Sequence, residues 1–256
     1  MAWTTANLPR SMSSSDLQPA ELLGDGGQGT VHAVLGSPEL AIKTYLHTNV
    51  QERSLALLVN LSHSMPTEAR QLVNDSTTWP LATIQDKGRT VGVVMRRLPQ
   101  RFTERFPAGV RPRDVSYAVY PSKPMWAHIT PALPSQRLEL ARALAEIFSV
   151  IHRVGAIYGD LSYYNVAWCL EPRASIFLMD CDSIRVAGSN AAHGHAVTID
   201  WDDPHHSGAD TLDSDRYKLA LFIGRLLTQD HSVRPGPGLA ISASPWGPDV
   251  ADRVSR

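Results

Sequence analysis

The stretch YGDLSYYNVAW, residues 158 to 168, sets a carboxylate and a carboxamide, Asp160 and Asn165, on what reads as a short turn between a helix and a strand. Two readings fit such a turn. Asp and Asn are common turn formers that bond their own backbone. The same pair also suits a site where the carboxylate meets a hydroxyl and the amide holds a metal ion. Asp180, in IFLMDCDS, closes an apolar run and reads as a residue at a strand's end, a place where an aspartate also serves as a plain turn or cap. Lys43, in AIKTY, lies in an apolar strand, where an unpaired ammonium is costly. It either reaches solvent at an edge or meets an anion. GDGGQG carries Gly24, Gly26 and Gly29 in G-x-G-x-x-G spacing. Glycines let backbone N–H groups close over a phosphate, and a hairpin tip is the other reading. Val31 follows in a strand, which argues against a dinucleotide-binding unit, whose glycine motif opens a helix.

The elements that must position these residues are legible in outline. Residues 1–19 are rich in Ser and Pro and read as a flexible leader. Residues 20–46 read as a glycine-tipped hairpin followed by a third strand. NVQERSLALLVNLSHSM has Leu55, Leu58, Val59 and Ser62 on one helical side and stops near Pro66. WPLATIQDKGRTVGVVM reads as two strands around a Lys87-Gly88 turn. Residues 99–134 predict a long loop with one short helix. SQRLELARALAEIFSVIHRVG is the clearest helix, with Ser135 as N-cap and Gly155 as C-terminal stop. VAWCL and IFLMD follow as strands, and DSDRYKLALFIGRLLTQ as a helix with an acidic first turn. The tail opens as a Pro/Gly loop. The fold class is therefore α+β, with a strand-rich part over 20–98, a helix-rich part over 99–256 and a cleft between them.

Bulk composition narrows the function. An apolar fraction of 43% and a charged fraction of 19% fit an ordinary soluble globular protein. A formal net charge of -1 gives no reason to expect nucleic acid or an anionic membrane as a partner. No apolar run has the length to span a bilayer, and the N-terminus lacks the core of a signal peptide. Two cysteines are too few for a disulfide framework or a zinc cluster, and they point to a cytoplasmic location.

Taken in order, the glycine loop, the strand lysine, Asp-x-x-x-x-Asn and the strand-terminal Asp resemble the eukaryotic-like Ser/Thr protein kinases, a bacterial subgroup among them, over residues 20–230. LLGDGGQGTVHAV resembles the glycine-rich loop, AIK the third-strand lysine motif, YGDLSYYN the catalytic loop and MDCD the metal-binding segment. The resemblance implies a two-lobed fold, ATP and Mg²⁺ (or Mn²⁺) as cofactors, and a protein substrate or regulatory partner that the sequence does not identify. It assigns Gly24, Asp25, Gly26, Gly27, Gln28 and Gly29 to the phosphates, with Val31 and Ala41 lining the nucleotide. Lys43 pairs with the α- and β-phosphates, with Glu52 as its helical partner and Glu68 as second choice. Met95 precedes a hinge whose residues Arg96, Arg97 and Leu98 lend backbone groups to adenine. Asp160 takes or orients the substrate hydroxyl proton; Asn165 and Asp180 hold the metal.

Several residues depart from that pattern. Tyr158 and Gly159 stand for the usual His and Arg, which removes the partner of a phosphorylated activation loop. Ser162 replaces a lysine near the γ-phosphate, and Cys181 and Asp182 replace Phe and Gly. Pro204 in DDPHH fits the proline that ends the activation segment. Helices expected after residue 230 are mostly missing, so the second lobe reads as short or truncated. Two alternatives stay open. A small-molecule kinase of the aminoglycoside-phosphotransferase type fits GDLSYYN but usually lacks the glycine loop. A pseudokinase, a nucleotide-binding scaffold, fits the altered motifs. His193, His195, His205 and His206 near Asp200, Asp202 and Asp203 match no zinc spacing and read as solvated loop residues. The arginines between 96 and 113 read as a solvated face.

Overall fold

The computed structural model describes residues 2–46, 50–192, 200–203 and 208–234. Its elements, in chain order, are β1 (Ser11–Ser13), β2 (Pro19–Gly26), β3 (Gly29–Val34), β4 (Ser37–Tyr45), α1 (Glu52–Ser64), α2 (Thr67–Ser76), β5 (Pro80–Asp86) and β6 (Arg89–Arg96). Then come β7 (Thr103–Phe106), β8 (Gly109–Pro112), α3 (Ser116–Val119), α4 (Pro134–Arg153), β9 (Ala156–Ile157), β10 (Val166–Cys169), β11 (Ser175–Leu178), β12 (Arg185–Val186) and α5 (Leu212–Thr228). The chain is α+β and divides into two units: Met1–Pro99 with Val150–Gly159 and Leu178–Ala196, and Gln100–Ser149 with Asp160–Phe177 and Val197–Arg256. The second and third pieces of the first unit lie in the part of the sequence expected to be purely C-terminal. They join it because β9 pairs antiparallel with β12, and because Thr78 N–H donates to Leu178 O at 2.9 Å.

The first unit is built on a six-stranded sheet in the order β1-β5-β6-β4-β3-β2, antiparallel except for the β1–β5 pair. Alternation along β4 sends Leu40 and Ile42 to one face and Ala41, Lys43 and Tyr45 to the other. The first face holds a core of Met12, Leu17, Val34, Leu40, Ile42, Leu81, Ala82, Ile84 and Val94. Trp3 and Leu8 pack against it. This corrects the expectation of a flexible leader. Residues 11–16 form β1 and a 3-10 turn with a Ser13/Asp16 capping box, because the apolar residues among the leader's serines cover a sheet face that needs a lid. Helix α1 buries Leu55, Leu58, Val59 and Ser62, the side its spacing predicts. Helix α2, which the sequence reading passed over, starts behind Pro66 and buries only Val73; one apolar anchor is too weak a periodic signal.

In the second unit, residues 103–112 form the hairpin β7–β8 rather than loop, with Phe106 facing Gly109 across its turn. Arg113 anchors this segment: Nε donates to Trp168 O at 3.1 Å, and the guanidinium lies 5.0 Å from the Trp168 ring centre. In the first unit Arg96 and Arg97 make exposed ion pairs with Asp75 and Glu21, and Arg101, Arg105 and Arg111 are exposed, so most of the arginine-rich run is the solvated face its composition predicts. Helix α4 begins at Pro134, so Ser135 lies inside the first turn and is not its cap; a proline is pre-set for that turn. Gly155, at φ 72°, stops it as expected. Helix α5 opens on Thr211, whose hydroxyl accepts from Ser214 N–H. The tail beyond Arg234, His193, His195, Pro204, His205 and His206 lie outside the described residues.

Candidate functional site

Two groups of predicted site residues are each assembled inside one unit. In the first unit, Lys43 is 4% exposed, with Val31 and Val93 as its cross-strand neighbours. Its Nζ donates to Asp182 Oδ1 at 2.9 Å, to Gln28 Oε1 at 3.1 Å and to Asp180 Oδ1 at 3.3 Å. Three donors thus meet three oxygens, as a buried ammonium requires. Burial by itself would pull the lysine pKa down; the charges of Asp182 and then Asp180 outweigh it, so the ammonium ends above its ordinary value. The hydroxyl of Tyr45 donates to Asp182 Oδ2 at 3.0 Å. Its own pKa is driven well up, by burial first and the Asp182 charge second.

The expected pairing of Lys43 with Glu52 is corrected. Glu52 sits in the exposed first turn of α1, and its Oε1 accepts from Thr90 N–H at 2.8 Å. Glu68 is exposed on α2. Among the described residues the carboxylates on Lys43 are Asp180 and Asp182. Asp182 is the partner of Lys43 that its residue type and spacing did not single out. It registered only as a replacement for glycine. The signal was the second aspartate of MDCDS, an acidic residue in a run otherwise suited to burial.

Asp180 follows β11 and holds φ 51°, ψ 38°, the left-handed region that a non-glycine residue enters at a cost. The next residues, Cys181–Ser183, form a buried 3-10 turn, and Ser183 Oγ donates to Asp180 O at 2.7 Å. That turn swings Asp182 inward while Asp180 stays half exposed. The Cys181 thiol, fully buried, has its pKa pushed up to about 12 by desolvation, which makes it inert packing rather than a nucleophile.

The glycine motif has two physical origins. Gly26 pairs with Gly29 across the two-residue connection Gly27-Gln28, so GDGGQG is a hairpin tip. A Cβ on Gly29 would collide with the Thr44 carbonyl, so strand packing demands that glycine. Gly26 and Gly27 have open space around them, Gly24 only a Val31 side-chain contact, and Asp25 is exposed. At the other end of the sheet Ala41 and Met95 pair across β4 and β6 and are buried. Of the expected hinge donors, Arg97 N–H is already committed to Glu39 O at 2.8 Å, and Arg96 is the last residue of β6, opposite Leu40; Leu98 follows partly buried.

In the second unit the Asp160 and Asn165 side chains are joined directly. Asn165 Nδ2 donates to Asp160 O at 2.7 Å and to Asp160 Oδ2 at 3.0 Å, so the amide fixes the carboxylate's orientation. The 3-10 turn Tyr163–Asn165 is held from outside by Val115 N–H, shared between Tyr163 O and Val166 O. Tyr163 is buried against Trp201 and Phe222, with ring centres at 4.8 and 5.8 Å. Ser162, in the place of the expected lysine, is buried. Gly159 takes φ 78°, which explains glycine before the aspartate. In the first unit, Tyr158 is buried and donates to Met179 O at 2.6 Å.

Among the described residues no group of three His, Cys, Asp or Glu side chains is arranged to hold a metal ion, and no helix is long and apolar enough to cross a membrane. In the first unit Asp180 offers a half-exposed carboxylate; in the second the amide nitrogen of Asn165 is turned to Asp160. A carboxylate or amide oxygen is a hard donor of the kind Mg²⁺ accepts. No family model matches the chain, and no curated protein matches it.

Proposed function

We propose that the protein has a protein-kinase-like fold and is an ATP- and Mg²⁺-dependent phosphotransferase that passes the γ-phosphoryl group to a Ser or Thr hydroxyl of a protein. One observation carries this reading: a buried strand lysine holds, by its ammonium, both the half-exposed carboxylate of Asp180 and the side chain at the tip of a glycine hairpin. Two of its three partners, the Gln28 amide oxygen at the hairpin tip and the half-exposed Asp180 carboxylate, are ones that phosphate oxygens can replace, which suits the lysine to polyphosphate and its metal. The order of elements, an N-terminal sheet with helices α1 and α2 inserted before β5 and the longer helices α4 and α5 after it, supports the same reading.

The residues divide the work. Lys43 neutralises phosphate charge, and the open tip at Gly26 and Gly27 lets backbone N–H groups approach it. Asp160, its orientation set by Asn165, accepts or aligns the proton of the attacking hydroxyl. Asp180, and in the second unit Asn165, would each offer an oxygen to Mg²⁺, which when bound would offset charge on the transferred group. Phosphoryl transfer asks for position and electrostatics rather than covalent help.

The test is transfer from Mg-ATP to a generic protein substrate or to the protein itself. Asp160→Ala is expected to abolish transfer and leave ATP binding intact; unchanged turnover removes Asp160 from its role. Binding of ATP by the native protein without transfer or hydrolysis would favour the scaffold reading, and phosphorylation of hydroxylated metabolites instead of protein would favour a small-molecule kinase.

A further inference from the structure

We infer that Asp182, not a glutamate of α1, is the positioning residue that holds Lys43 for the nucleotide, so that the lysine is set by the MDCDS turn and not by a helix. The inference rests on the reading of Lys43 as the phosphate anchor. Three observations carry it. The Asp182 side chain is 1% exposed and the Asp180 side chain 49% exposed, although both reach the same ammonium. Asp182 is therefore closed off from water, while Asp180 is open to it. Both Asp182 oxygens are engaged, Oδ1 by Lys43 and Oδ2 by the Tyr45 hydroxyl, which fixes its rotamer from the same strand that carries the lysine. Glu52, in turn, is tied to the Thr90 backbone.

The consequence is a division between the two aspartates. Asp182 balances the lysine charge permanently. Asp180 and Gln28 are partners that Lys43 can release when phosphate oxygens arrive, and Asp180 is then free to meet the metal. Without Asp182, Lys43 would be neutralised by Asp180, and one carboxylate would have to serve both cations. A helix movement that brings a glutamate to the lysine has no part in this arrangement.

Two measurements on the full-length protein test it: Mg-ATP affinity by calorimetry, and the place of the Lys43 side chain in a crystal structure of each variant. Asp182→Asn is expected to release Nζ from its place beside residue 182 and to weaken Mg-ATP by about tenfold, the loss of one charge-assisted hydrogen bond. Glu52→Gln, which the fold has moved out of the site, is expected to leave Nζ in place and affinity within about twofold. A tenfold loss in Glu52→Gln, or an Asp182→Asn protein unchanged in both readouts, overturns the inference. If the native protein binds no Mg-ATP, the phosphotransferase reading fails, while the place of Nζ in the two variants still decides what holds Lys43. If Asp182→Asn does not fold, Asp182→Glu, which keeps the charge and displaces the carboxylate, is read in the same two ways, and an unmoved Nζ with unchanged affinity overturns the inference.

Discussion

The two units hold their polar residues in opposite ways. In the second, Asp160 and Asn165 are five positions apart, and the amide reaches the carboxylate across one turn. In the first, Lys43 meets partners 137 and 139 positions away, and everything about the pair depends on burial. The local pair is exposed enough that water can replace either partner. The distant pair has no such substitute. A local motif can thus be written in a short stretch and survive small changes around it, while a buried ion pair commits a sheet and a distant turn to one another.

The sharpest way to break this comparison is to delete one charge from each group. Lys43→Met leaves Asp182 buried without its cation and is expected to cost about 3–5 kcal/mol, read as a shift in urea unfolding. Asp160→Ala should cost far less than that; equal losses would erase the contrast. Alkaline pH acts on the first group without mutation. Lys43 is raised above 10.5 and Tyr45 well above 10.0, so the fold binds their protons more tightly than the unfolded chain does. The stability they contribute is fully present below pH 10 and is lost as pH rises through the higher native values. Thermal melts from neutral to strongly alkaline pH should fall steeply above pH 10 in the native protein and more shallowly in Lys43→Met; parallel curves would contradict the buried pair.

The next effect in size sharpens the structural half of the glycine motif. Gly29→Ala drives a methyl group toward the Thr44 carbonyl, and overpacking of this kind costs about 1–3 kcal/mol. Gly27→Ala meets open space and should be close to neutral for stability while weakening ATP binding. If the two variants unfold alike, the tip is not divided as described. The smallest effect belongs to the local pair: the Asp160→Ala change removes a partly exposed hydrogen bond worth about 1 kcal/mol, with its consequence in turnover rather than in urea.

Much of the fold was legible because its signals are local. The apolar side of α1, the Lys87-Gly88 turn at φ 47° and 76°, the length of α4 and the acidic first turn of α5 follow from periodicity and turn chemistry in single stretches. The elements that escaped had weak local signals and strong distant ones. Strand β1 is three residues long and exists because β5 lies parallel to it. The β7–β8 hairpin lies in a Pro- and Arg-rich run whose pattern resembles loop. Among the candidate residues, Asp160, Asn165, Lys43 and Asp180 stood out by type and spacing, whereas Asp182 did not, and Glu52 was assigned from the family resemblance as the helical partner of a lysine it does not touch.

What the sequence determined unaided was therefore the inventory: an α+β chain, a glycine hairpin before a strand lysine, and two acidic turns after apolar elements. Each of these is set by interactions a few residues long. The identity of the lysine's partner was settled by tertiary structure, because a carboxylate's claim on a buried ammonium depends on distance and exclusion of water, and both arise only when β4 and the Cys181–Ser183 turn pack into one interior.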